Sequence, residues 1–276
     1  MRKSILTVTV SALALLGAGC NQLKSRAQLN EGSKAFKNAQ FPQAVEHFKQ
    51  AVELQPDFAS ARLYLATAYM QQYIPNSTAP DNMKNADEAE KQFKIVLQTD
   101  PENKIAIGYL ASLMLGEKKM DDAEKWNQRM LQVDPKNADA YYSMGFIAWS
   151  KWYPAYAEAI HDLKLKLEDP GPLPSKDKKD KEFKEALKAK WLPVIDGGLA
   201  NLDKCLQVDD LRDDAMAYEN LLIREKAVLV DDRAEYDKQV AIANAWIDKA
   251  LAAKKTQAEK KAKAAAANGI TTEESK

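Results

Sequence analysis

One phrase returns four times along this chain and limits what it can fold into. A small residue is followed about one helical turn on by a large apolar one, then by a further small or apolar residue, then by a stop. It runs Ala44, Phe48, Ala51, Leu54 to Pro56, then Ala89, Phe93, Val96 to Pro101. It returns as Ala123, Trp126, Met130, Val133 to Pro135, and as Gly198, Leu202, Cys205, Val208 to Asp210. Apolar residues at this spacing make one face of a helix, and proline cannot continue a helix. From Pro101 to Pro135 is 34 residues. A period of that length marks stacked repeats, each burying its face only against its neighbours.

Each unit reads as two antiparallel helices. In residues 104–135, Leu110, Ala111, Leu113 and Met114 give the first helix its apolar stripe. Gly116 and Glu117-Lys118-Lys119 form the turn, and Asp121 and Asp122 suit the positive end of the next helix. Ala123, Trp126, Met130 and Val133 are its buried face, and Asp134-Pro135 closes the unit.

These units resemble the tetratricopeptide repeat family, which sets small residues where its paired helices approach most closely. Here the pairs are Gly32 with Ala44, Ala66 with Ala89, Ala111 with Ala123, and Gly145 with Gly198. A weaker fifth unit pairs Asn220 with Ala243 and continues to Ile247 and Ala250. The resemblance covers about residues 25–255. It implies an all-α fold, a tetratricopeptide-like helix-hairpin solenoid of four to five repeats. The departures are placed expectations too. Glu31 and Glu219 stand where the family usually has leucine. The second unit carries a proline-containing loop between Tyr73 and Asn82. The fourth carries a long insertion at about 152–191, in which the first helix runs on through Glu158 and Leu165, the chain breaks at residues 169–175, and a second helix resumes through Phe183 and Leu187 toward Trp191. From Lys254 a Lys/Ala-rich tail, counted as 256–276, extends the last helix to about Ala267. It ends at Asn268-Gly269 and leaves Thr271–Lys276 disordered.

The first residues are of another kind. Arg2 and Lys3 precede the uncharged run Ile5–Leu16, and Gly17-Ala18-Gly19-Cys20 follows. A basic start, a short apolar stretch and small residues at the cut make a secretory signal over 1–19. Small residues directly before Cys20 resemble the lipobox of bacterial lipoproteins, although Gly17 stands where that family prefers leucine. The resemblance implies lipidation of Cys20, a linker over 20–24 and anchoring in the cell envelope. With Asn21 next, it implies the outer membrane, facing the periplasm. An ordinary secretion signal with a chance cysteine is the alternative. Cutting before Cys20 leaves 38 basic against 40 acidic residues, from 40 of each. That balance gives no strong pull toward an anionic bilayer and no basic excess for nucleic acid. Cys205, the second cysteine, lies on an apolar stripe and reads as core.

No catalytic constellation is legible. His47 and His161 are the two histidines, with no partner at metal-ligand spacing. There is no glycine-rich phosphate loop and no nucleophile elbow. Asp209–Asp214 and Asp231-Asp232 lack the glycine and spacing of a calcium loop and read as helix caps. The expectation is a protein that is not an enzyme and needs no cofactor or metal.

A binding surface is the remaining source of function. The family's groove is lined by its first helices. Residue by residue this implies Phe36, then Leu63, Thr67 and Met70, then Ile105, Ser112 and Leu115. The fourth unit gives Tyr142, Phe146 and Trp149, and the fifth Leu221 and Arg224. Three aromatics one turn apart suit a binding hot spot, and such a groove takes a peptide or an amphipathic helix. Two readings stay open. In one, the chain is a scaffold binding another envelope protein or peptide, with the membrane held by the N-terminal lipid. In the other, the aromatics pack on the chain's own insertion and the protein is a self-associating envelope component.

Overall fold

The computed structural model describes residues 2–166, 168 and 170–267, with side chains from Cys20 onward. The expected helix end at Asn268-Gly269 and the expectation for Thr271–Lys276 lie outside these residues. So do Asp169 of the loop and the side chains of the signal segment. Among the described residues there are ten α-helices and no strand. They divide into two compact units, Met1–Arg129 and Met130–Lys276. The fold class is the expected one, all-α and built of helix hairpins.

In the first unit α1 (Arg2–Lys37) pairs with α2 (Phe41–Leu54), and α3 (Ala59–Met70) with α4 (Pro80–Thr99). Next come α5 (Lys104–Gly116) and α6 (Met120–Val133), whose last residues belong to the second unit. Small residues set the helix spacing. Ala44, Ala66 and Ala89 are wholly buried. A Cβ on Gly32 would stand 2.6 Å from the Phe48 ring, so glycine there lets that buried ring lie against α1. Among the described side chains of α1, Ser25 is the first that is buried, and its hydroxyl donates to the Ala51 carbonyl at 2.8 Å.

The turns repeat a device. After α1, Ala39 has φ 57° and the Gln40 N–H returns to the Ala35 carbonyl at 2.9 Å. After α5, Lys118 has φ 59° and the Lys119 N–H returns to Met114 at 2.9 Å. One left-handed residue and a bond six residues wide satisfy the last carbonyls of the helix and reverse the chain. The second hairpin departs from this with a proline-containing loop, shorter than expected because Pro80 opens α4 instead of continuing the loop. Asn82 clamps it: its Nδ2 donates to Ile74 and Ser77 carbonyls at 3.0 and 2.9 Å, and its Oδ1 accepts from the Ile74 N–H at 2.6 Å.

In the second unit α7 (Ala138–Asp162) pairs with α8 (Lys178–Val208), and α9 (Asp213–Lys226) with α10 (Arg233–Ala267). A single 3-10 turn, Ala227–Leu229, ends the α9 side. The contact of α7 with α8 follows from two glycines. A Cβ on Gly145 would stand 2.4 Å from Leu202 Cγ, and one on Gly198 would stand 2.6 Å from Ala148 Cβ. Asn220, in the small position of the fifth pair, donates to the Ala243 carbonyl at 2.7 Å. Cys205 is wholly buried.

The insertion of the fourth unit is the hairpin made longer, not a separate module. Its first helix ends at Asp162, short of the expected Leu165. Trp152, Tyr156 and Ile160 of α7 share a core with Ile195 of α8, with Trp191 partly buried against it. Its loop folds back on the α9–α10 turn. There Leu173 is buried and its N–H donates to the Val228 carbonyl at 2.7 Å. Lys184, almost wholly buried, donates to the Val230 carbonyl and pairs with Asp231 at 3.1 Å.

Two further expectations are corrected. Asp232 caps α10, its Oδ1 accepting the Glu235 N–H at 2.9 Å. In the other acidic run, however, the residue before α9 is Arg212, without a side-chain cap, and Asp213 and Asp214 lie inside the first turn. They act on the helix dipole rather than as the cap. Ile247, which the repeat pattern puts on a buried face, is 42 % exposed. Among the described residues, α10 packs only on α9 and the 3-10 turn.

Candidate partner-binding face

The first helices of successive hairpins neighbour one another within each unit: α1 with α3, α3 with α5, and α7 with α9. The implied binding residues are distributed over these helices. In the first unit Phe36 is half-buried and set edge-on to Phe41 at 5.3 Å, held by its own turn. Leu63, Thr67, Met70 and Leu115 are half-buried. Ile105 and Ser112 are exposed. The Thr67 hydroxyl is already used, donating to the Leu63 carbonyl at 2.9 Å.

The second unit concentrates its aromatics. Tyr142, Phe146 and Trp149 rise one turn apart on α7 and are half-buried. All three converge on Tyr218 of α9, with ring centroids at 5.8, 5.4 and 5.4 Å. Trp149 also meets Tyr153 at 5.0 Å, and Tyr153 is 39 % exposed. They therefore pack on the next hairpin, and Trp149 also packs on the insertion through Tyr153. Arg212 lies over the Tyr142 ring at 4.5 Å and is held by Asp139 and Asp214. Burial raises the Tyr142 phenol well above its ordinary range, and the Asp214 charge adds to this. Leu221 is half-buried on α9, and Arg224 there bonds Asn244 of α10.

Two residues of this face escaped the sequence reading. Tyr218 is the ring on which the three aromatics meet. Glu225, next to Arg224, is 4 % exposed. Its Oε1 accepts the Trp149 indole N–H at 3.0 Å, while its Oε2 is buried with no hydrogen-bond partner. Burial pushes its carboxyl up to about 7, with the Trp149 bond as the opposing influence. Neither carries a signal in the sequence, since a lone ring or carboxylate on a helix is ordinarily a solvent-facing residue.

Elsewhere chemistry is sparse. Among the described residues with side chains, no three His, Cys, Asp or Glu side chains gather as a metal site. His47 is half-buried, with Nδ1 2.7 Å from Gln28 Oε1, and His161 is exposed. A cleft of about 340 Å³ in the first unit lies between the Asn82-clamped loop and Gly116–Lys119. Among the described residues, no helix is long and apolar enough to cross a membrane.

Comparison with known proteins bears on the fold. A tetratricopeptide repeat profile matches residues 83–145, and a second, for the TPR repeat, matches residues 32–72. No curated protein matches the chain by sequence. Among solved structures, MamA protein is similar with a TM-score of 0.56 at 15% identity, covering 86% of this chain and 94% of that one. MamA from Desulfovibrio magneticus RS-1 gives 0.52 at 14%, covering 85% and 97%. YrrB, described as a TPR protein with an unusual peptide-binding site, gives 0.50 at 15%, covering 83% and 90%. At these identities the likeness is one of fold alone. With matching profiles over residues 32–72 and 83–145 and the same hairpin construction in both units, the chain is built of tetratricopeptide-like helical repeats.

Proposed function

We propose that this protein is a non-catalytic, lipid-anchored scaffold that faces the periplasm and holds another envelope protein through the face around Tyr142, Phe146 and Trp149. Tetratricopeptide repeats are generally interaction scaffolds without catalysis of their own. The observation that carries the reading is the half-buried aromatic row on α7, since rigid aromatic rings are the side chains most enriched in binding hot spots. The anchor is supported by Arg2, Lys3, the uncharged run and the small residues before Cys20. Residues 20–24 are exposed, Leu23 at 70 %, and Ser25 after them is buried, which is consistent with a short tether. More than one acyl chain at Cys20 would anchor stably, where a single chain would not.

The test is crosslinking and co-purification from native membranes, comparing wild type with Tyr142→Ala/Phe146→Ala/Trp149→Ala and with Cys20→Ala. A partner lost in the triple variant, with folding retained by circular dichroism, supports the face. An unchanged partner list refutes it. Release of the Cys20→Ala chain from membranes, with loss of labelled palmitate, supports the anchor, and retention refutes it.

A further inference from the structure

The partner-binding reading leaves the chemistry of the partner open, and Glu225 narrows it. We infer that the aromatic face of the second unit receives a cationic group, a lysine or arginine side chain of the bound peptide, between Glu225 and the rings of Trp149, Tyr153 and Tyr156. This rests on that reading and deepens it.

A carboxyl group buried with an unpartnered oxygen is unfavourable unless a counter-charge or donor completes it. Trp149 fixes one oxygen at 3.0 Å, and the second has no hydrogen-bond partner. The cations of this neighbourhood are engaged elsewhere. Arg224 bonds Asn244, Lys226 pairs with Asp196 at 2.6 Å, Arg212 holds Asp139 and Asp214, and Lys188 pairs with Asp231 at 3.0 Å. The rings beside Glu225 continue the same polarity, because an aromatic face is the negative end of its quadrupole. Trp149 and Tyr153 lie 5.0 Å apart, and Tyr153 and Tyr156 lie 6.2 Å apart. Tyr156 is itself buried and close enough to feel the Glu225 charge. Tyr153, at 39 % exposed, is the open edge of the cluster. An acidic peptide would meet repulsion here, and a purely apolar one would leave Glu225 as it is.

The test uses the purified full chain and three randomised peptide pools that differ only at one central position, fixed as Lys, Gln or Glu. Wild type should retain the Lys pool about tenfold or more over the others, the scale of a desolvated charge pair. Glu225→Gln, which keeps an acceptor for Trp149, should erase that preference and still bind the Gln pool. Tyr153→Ala, at the exposed rim, should weaken the preference without entering the core. Equal binding of all three pools, lost in Trp149→Ala, would overturn the cationic assignment and leave the aromatic face standing. A Lys preference that survives both Glu225→Gln and Tyr153→Ala would overturn the assignment as well. Binding of no pool by wild type would overturn the face and the assignment together.

Discussion

Glu219 offers a quantitative test of how the second unit is packed. Its carboxyl lies on α9, 3 % exposed, with Oε1 buried and without a hydrogen-bond partner. Burial pushes its pKa from 4.5 up to about 8, Asp203 adds to this, and Lys249 opposes it. Between those two values the folded chain holds a proton that the unfolded chain has released. Stability therefore falls as pH rises through that window. Each pH unit is worth about 1.4 kcal/mol, so the window sets an upper bound of ~5 kcal/mol. Relaxation and water entry around a buried charge reduce this to ~2 kcal/mol. Glu219→Gln is neutral throughout, and any fixed effect of the amide cancels when the pH trend is compared. Urea unfolding followed by circular dichroism at about pH 5, 6, 7 and 8 should show the variant gaining ~2 kcal/mol on wild type across the series. A difference that stays flat, or shrinks toward alkaline pH, would falsify the buried acid.

Gly145→Ala gains about 1 kcal/mol of helix propensity. It also drives a Cβ to 2.4 Å from Leu202 Cγ, and overpacking of this kind costs about 1–3 kcal/mol. Thermal unfolding should fall by several degrees, and an unchanged or higher midpoint would refute the tight contact. Ala39→Gly should stabilise by ~0.5–1 kcal/mol in chemical denaturation, since Ala39 is left-handed at φ 57° and glycine carries no penalty there. A loss of stability would contradict the turn geometry. Cys205 is wholly buried, its thiol pushed up to about 11 chiefly by that burial. It should resist iodoacetamide until the chain unfolds, while exposed Cys20 in the unacylated chain reacts at once. Labelling of native Cys205 in mass spectra would count against the core.

Much of the architecture was legible because it rests on residue size. Gly32, Ala44, Gly145 and Gly198 are small where helices touch, and that requirement shows in the letters. The break between α7 and α8 was legible for the same kind of reason, since Pro170-Gly171-Pro172 cannot be helical. The destination of that loop was not. Leu173 and Lys184 reach the carbonyls of Val228 and Val230, and a backbone acceptor leaves no trace in residue identity. Ile247 misled because a repeat pattern presumes a neighbour on each side. On the binding face, Tyr142, Phe146 and Trp149 were visible as a helical row. Tyr218 and Glu225 were not, because a lone ring or carboxylate on a helix usually faces solvent, and only the approach of α9 to α7 encloses them.

The folded-back loop of the fourth hairpin also restricts how this chain can change in length. In a tandem array each copy meets only its neighbours, so a copy can be removed or added with the loss or gain of local contacts alone. Here the α9–α10 hairpin supplies the acceptors for Leu173 and for the buried ammonium of Lys184. Deleting that copy would strand both groups, and inserting a copy before it would carry the acceptors out of reach. The two last hairpins are thus tied to each other as one piece, by bonds beyond the packing of neighbouring helices.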